Sequence, residues 1–170
     1  MARSLDERVK DEPRTDRETV LIVDDEEMVL TSLSTYLALE TDYEVVTFTS
    51  AGLALEHIQK NDVGVIISDF LMPEMDGITF LARARELRPD VPRVILTGYA
   101  DKENAIKAIN QVGLYQYVEK PWDNDEIRLI IRNGLEKKQL MAKLTQKVTQ
   151  INEAYRELQG IQQEILKAFA

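Results

Sequence analysis

The sequence predicts an α/β fold, a doubly wound sheet of five parallel strands, followed by one long helix. Short β-branched runs alternate with amphipathic segments of about ten residues, which is the signature of βαβ units. Right-handed crossovers then place helices on both faces of the sheet. From Asn124 to Phe169 there is neither a proline nor a convincing stop signal, roughly 69 Å of helix at about 1.5 Å per residue.

Each element follows from local pattern. Residues 1–18, "MARSLDERVKDEPRTDRE", are mostly charged with little to bury, and read as a flexible arm. The strands are read at "TVLIVD" (19–24), "YEVVTFT" (43–49), "VGVIIS" (63–68), "RVILT" (93–97) and "YQYVEK" (115–120). Between the first two, "MVLTSLSTYLAL" sets Val29, Leu33, Tyr36 and Leu37 on one helical face. "AGLALEHIQ", "ITFLARAREL" and "ENAIKAINQV" are helices by the same reading. The compact domain is expected over 19–136 and the helical extension over 137–170.

Composition narrows the function classes. The chain has 170 residues, 44% of them hydrophobic, enough for one core and an appendage. A formal charge of −9, from 21 basic and 30 acidic residues, argues against a nucleic-acid-binding surface. Without cysteine there is no disulfide framework and no thiolate metal site. No apolar run has the length of a membrane span, and no signal-peptide core is present, so a cytoplasmic protein is expected.

In a parallel doubly wound sheet, chemistry collects at the carboxyl ends of the strands. Strand one ends in Asp24-Asp25, strand three in Asp69, strand four in Thr97-Gly98 and strand five in Lys120-Pro121. Each has an innocent reading: a helix cap for Asp24 or Asp25, a loop start for Asp69, a turn, a helix entry. Together they converge on one sheet edge. Three crowded carboxylates raise one another's pKa unless a cation sits among them, and Mg²⁺ suits such a site because it keeps waters and shares phosphate oxygens. Lys120 adds a monovalent cation and Thr97 a hydroxyl, so the set can hold a phosphoryl group.

"LIVDDEE", "ISDFLMPEMDG", "VILTGYAD" and "YVEKPW" resemble, in order and spacing, the receiver domain of two-component response regulators. The resemblance covers residues 19–136 and implies a flavodoxin-like strand order 2-1-3-4-5. It further implies that Asp69 accepts a phosphoryl group from the phosphohistidine of a sensor histidine kinase or phosphotransfer protein. By the same analogy Asp25, Asp69 and the Leu71 backbone carbonyl would contact Mg²⁺, and Asp24 would act through a bound water. Lys120 would pair with Asp69 and then with the phosphoryl oxygens, while Thr97 would move towards the phosphoryl group and draw Tyr117 inward. Leu71 and Tyr99 occupy places that tune phosphoryl lifetime in the family.

Other readings are weaker. A phosphatase of the haloacid-dehalogenase type would need a second Asp two residues past the nucleophile, where Leu71 stands. A phosphorylation-independent adaptor would have lost an acid, the Thr or the Lys, and none is lost. His57, on a helix away from the acids, reads as a packing or surface residue. Trp122 with "DNDE" reads as a helix entry with capping acids. There is no Gly-rich phosphate loop for ATP.

In the extension, Met141, Val148, Tyr155, Gln162 and Phe169 occupy a positions and Leu144, Ile151, Leu158 and Ile165 d positions of a heptad. A parallel homodimer through residues 141–169 is expected, with a helix folded back on its own domain as the alternative. Asn133-Gly134 is a candidate helix end. The extension is too short for another globular domain, so either the coil engages a partner itself or the chain belongs to a longer regulator.

Overall fold

The computed structural model describes residues 17–170. Apart from Arg17 and Glu18, the arm expected over 1–18 lies outside the described residues. The chain then runs β1 (Thr19–Val23), α1 (Glu27–Glu40), β2 (Glu44–Phe48), α2 (Ala51–Lys60), β3 (Val65–Asp69), α3 (Gly77–Leu87) and β4 (Arg93–Thr97). A single 3₁₀ turn (Tyr99–Asp101) leads into α4 (Lys102–Val112), followed by β5 (Gln116–Glu119) and α5 (Asn124–Ala168). The sheet order is β2-β1-β3-β4-β5, all parallel. This is the flavodoxin-like order.

Strand pleat sorts the core into two layers. Leu21, Val23, Ile66 and Ile95 face one way and pack with Ala54, Ile58, Phe80, Leu81, Ala105 and Ala108 of α2, α3 and α4. Val20, Ile22, Val65, Ile67, Val94, Leu96 and Val118 face the other, against Leu30, Leu33 and Leu37 of α1 and Ile127, Ile130 and Ile131 of α5. Period-two alternation thus gives every central strand two buried faces, and β3 and β4 are buried at every residue. At the edge, β2 keeps Val45, Val46 and Phe48 half-buried and exposes Glu44 and Thr47.

Helix entries are set by short polar side chains. Ser50 accepts from the Leu53 amide at 3.4 Å at the start of α2, and Asp76 from the Thr79 amide at 2.7 Å at the start of α3. Asp123 opens α5 by accepting from the Asp125 amide at 2.8 Å.

No helix end occurs at Asn133-Gly134, because α5 passes through it unbroken for 45 residues. Gly134 is buried, and a Cβ there would stand 3.3 Å from Pro92 and 3.4 Å from Tyr115. The glycine is a point of close approach between helix and domain. Leu135 is the last buried residue of α5; beyond it, Lys138 Nζ donates to the Val63 carbonyl at 3.1 Å and Gln139 to Glu18 at 3.2 Å. Every residue from Gln139 to Ala170 is exposed, so the extension does not fold back on its domain.

Candidate functional site

Parallel register brings the strand ends together. Val23 pairs with Ser68, Asp69 with Leu96, and Thr97 with Glu119, so the next residues along, Asp24 and Lys120, join Asp69 and Thr97 at one edge. Backbone bonds continue the ladder there: the Asp24 amide donates to Phe48, Phe70 to Leu96 and Lys120 to Thr97, at 3.1, 2.9 and 2.8 Å. The Lys120-Pro121 peptide bond is cis.

Oxygen atoms of Asp24, Asp25 and Asp69 lie within 4.8 Å of one another. Asp24 and Asp69 are buried, while Asp25 is exposed. Lys120 Nζ sits 2.7 Å from Asp69 Oδ1 and 3.9 Å from Asp24 Oδ2. One Asp24 oxygen accepts from the Glu26 amide at 2.9 Å, just ahead of α1; the other is buried without a hydrogen-bond partner.

The electrostatics follow from this crowding. Burial, with the charges of Asp69 and Asp25, pushes the Asp24 carboxyl up to about 6 against the Glu26 amide and Lys120, which favour its ionised form. Burial disfavours the charged form of Lys120, but the hydrogen bond and charge of Asp69, aided by Asp24 and Glu26, outweigh it and hold the ammonium above its usual pKa. One lysine against three acids leaves the cluster short of positive charge. A buried, unpartnered carboxylate oxygen among hard oxygen donors fits a small divalent cation.

The loop after β3 is closed by contact with its own start. The Gly77 amide donates to the Phe70 carbonyl at 2.9 Å, and a Cβ on Gly77 would collide with the Asp69 carbonyl. Asp69 is therefore held from behind by a residue with no side chain. Leu71 lies within this loop with 63% of its surface exposed.

Thr97 is buried, its hydroxyl donating to the Gly98 carbonyl at 3.1 Å. It shares the strand face of Ile95, which is in register with Tyr117; Tyr117 is half-buried against the layer beneath α4. The Tyr99 side chain lies outside the described set.

Asp24, Asp25, Asp69, Leu71, Thr97 and Lys120 fall at this edge and Tyr117 beside it, whereas His57 does not. Its ring is tilted against that of Phe48, 5.3 Å between centroids, and contacts Asn61 at the C-cap of α2. Two contributors were not read as site residues. Trp122 carries Lys120 Nζ 6.0 Å from its ring, and Gly77 backs Asp69. The Asp-Gly pair at 76–77 was a local signal for the second; nothing in sequence spacing signals the first.

The comparisons with known proteins agree with this geometry. The family model described as response regulator receiver domain matches residues 20–132. The hydrogenase transcriptional regulatory protein HoxA of Cupriavidus necator is 36% identical over 118 residues, 69% of this chain and 24% of its own length. The chain thus spans about a quarter of that relative. The response regulator protein TodT of Pseudomonas putida is 30% identical over 154 residues, 90% of this chain and 67% of its own. The crystal structure of a CheY-like response regulator receiver domain protein from Methanospirillum hungatei superposes with a TM-score of 0.69 at 30% identity, covering 74% of this chain and 98% of that one. Motif, topology and homology converge: this chain belongs to the response regulator receiver domain family of two-component signalling.

Proposed function

We propose that Asp69 is the residue through which this receiver domain takes a phosphoryl group from a sensor histidine kinase or phosphotransfer protein. One observation carries the reading: a buried carboxylate, ion-paired at 2.7 Å with Lys120, shares a sheet edge with two further acids and a buried threonine. An Asp69 oxygen attacks phosphorus in line with the leaving imidazole; the P–N bond breaks and its electron pair leaves with the ring. Lys120 passes from the carboxylate to the phosphoryl oxygens, and Thr97 turns its hydroxyl from the Gly98 carbonyl towards them. That move opens space for Tyr117, which lies on the same face of the sheet.

Asp25, Asp69 and the Leu71 carbonyl would hold Mg²⁺, with Asp24 acting through water. When bound, the cation neutralises charge that the acids and the phosphoryl group would otherwise leave uncompensated. The protein acts as a signalling phosphoacceptor; any turnover is self-directed phosphotransfer and hydrolysis. Leu71, in place of the second acid a phosphatase would use, supports this division.

We place the receiver domain at 19–136, between an arm over 1–18 and an extension over 137–170. The extension pairs two copies in parallel, because Leu144, Ile151, Leu158 and Ile165 form an exposed apolar stripe that a single helix leaves in water. Among the described residues no helix is long and apolar enough to cross a membrane. Kinase partnership puts the chain in the cytoplasm, and nothing basic in its overall charge favours direct nucleic-acid binding.

Acetyl phosphate with Mg²⁺ tests the assignment by intact mass. Wild type gains one phosphoryl group and Asp69→Asn gains none. Equal uptake by the variant would sink the assignment.

A further inference from the structure

We propose that a groove at the amino ends of β4 and β5 is a docking surface for an acidic, apolar peptide segment of a partner protein. The groove encloses about 600 Å³ at the end of the sheet opposite Asp69. Val91, Pro92, Leu114 and Tyr115 form its floor, and Met141 and Ala142 of α5 its wall. Arg93, Lys137 and Lys138 line it as well, against one acid, Asp90. Along the same helix no acid occurs between Glu136 and Glu153.

These cations lack counter-charge. Lys137 Nζ stands 5.5 Å from the Tyr115 ring and Lys138 donates to a backbone carbonyl. Among the described residues, the ion pairs all lie elsewhere, and none involves Arg93, Lys137 or Lys138. Arg93 is the independent observation. Only 5% exposed, it donates to the carbonyls of Val91 at 3.0 Å, Pro89 at 3.4 Å and Gly113 at 2.7 Å, while its Nε has no partner. A buried guanidinium satisfied only by neutral carbonyls retains an uncompensated charge. Burial, then the nearby charge of Arg85, lowers its pKa accordingly.

A carboxylate in the groove would supply that charge through space and leave the carbonyl bonds in place. An adjoining apolar side chain would cover Pro92 and Tyr115. The part of α5 that lines the groove, from Lys137 to Thr145, extends for about 12 Å at about 1.5 Å per residue, which suits an extended chain better than a compact solute. Because the whole chain carries −9, this local reversal of sign selects an acidic partner.

The test titrates the full chain with a fluorescein-labelled peptide of alternating glutamate and leucine, followed by anisotropy and amide shifts. Saturable binding that weakens with salt is expected, with shifts confined to residues 89–93, 113–115 and 137–145. Ala142→Glu, in the groove but off the heptad stripe, and Lys137→Glu should each lower affinity about tenfold, about 1.4 kcal/mol. Phosphoryl uptake at Asp69 should stay unchanged in both, which reports that they fold. Absence of saturable binding, wild-type affinity in Ala142→Glu, or equally tight binding of duplex DNA would each overturn the proposal.

Discussion

Asp24 and Asp25 are neighbours with the same side chain, yet just past the end of β1 the first is buried and the second exposed. Two different mutational outcomes follow. Asp25→Asn should leave the fold intact, relieve repulsion in the metal-free domain and lower Mg²⁺ affinity about tenfold, about 1.4 kcal/mol; calorimetric titration with Mg²⁺ checks it. Asp24 governs pH dependence instead. Its folded pKa of about 6 exceeds the ordinary 3.8, so the native state holds the proton more tightly than the unfolded chain. Its contribution is most favourable below pH 3.8, falls as pH rises towards 6, and is level above that. The span corresponds to about 3 kcal/mol in the metal-free protein. Urea unfolding in chelator should therefore show Asp24→Asn gaining on wild type as pH rises through this window, with no further gain above it. A gap that does not change with pH would refute the account. Gly77→Ala tests the backing of Asp69: the collision with its carbonyl should destabilise the domain by about 1–3 kcal/mol and slow phosphoryl uptake.

Among the elements, those with a clean period were readable from sequence. "RVILT" is β4 at the expected bounds, and the amphipathic runs are helices to within a residue or two. The third strand, expected over 63–68 with Asp69 closing it, pairs over Val65–Asp69, because pairing with Leu96 extends one residue beyond the apolar run. The site acids, Thr97 and Lys120 were legible because each closes a strand, and parallel register converts that local fact into proximity. Gly134 was not. Locally it resembles a helix stop; its reason is contact with Pro92 and Tyr115, from distant parts of the chain that spacing does not report. The ring of Trp122 near Lys120 is similarly invisible until the chain turns at Pro121. For α5 the expectation is concrete. A chain ending at Lys138 keeps every buried residue of that helix and should fold as a monomer, at concentrations where the full chain is a dimer by light scattering. A monomeric full chain would mean that the stripe has a different partner.

At the scale of the molecule, the proposed switch must travel from the site to the α4–β5–α5 side. Thr97 lies between Asp69 and the turn into α4, and Tyr117 packs on the layer below that helix. A stable phosphoryl mimic should therefore shift amides over residues 98–120, and shifts confined to the loop around Asp69 would refute a relay. The starting state is defined by the ion pair between Lys102 and Glu119, 3.1 Å apart, which joins the first turn of α4 to the end of β5. At its other end α4 is held by guanidinium groups, with Arg85 donating to the Val112 carbonyl at 3.1 Å and Arg93 to that of Gly113 at 2.7 Å. Loosening is thus expected first near residue 98, with protection retained near 112.

The unbroken passage of α5 through Gly134 has a mechanical consequence. A rigid rod whose base is packed against the sheet turns any small rotation of that base into a large excursion at its far end. The exposed part is about 45 Å long at about 1.5 Å per residue, so a tilt of about 5° displaces the tip by about 4 Å, roughly three quarters of a helical turn. Had the helix broken at the glycine, the same rotation would have been absorbed at the joint.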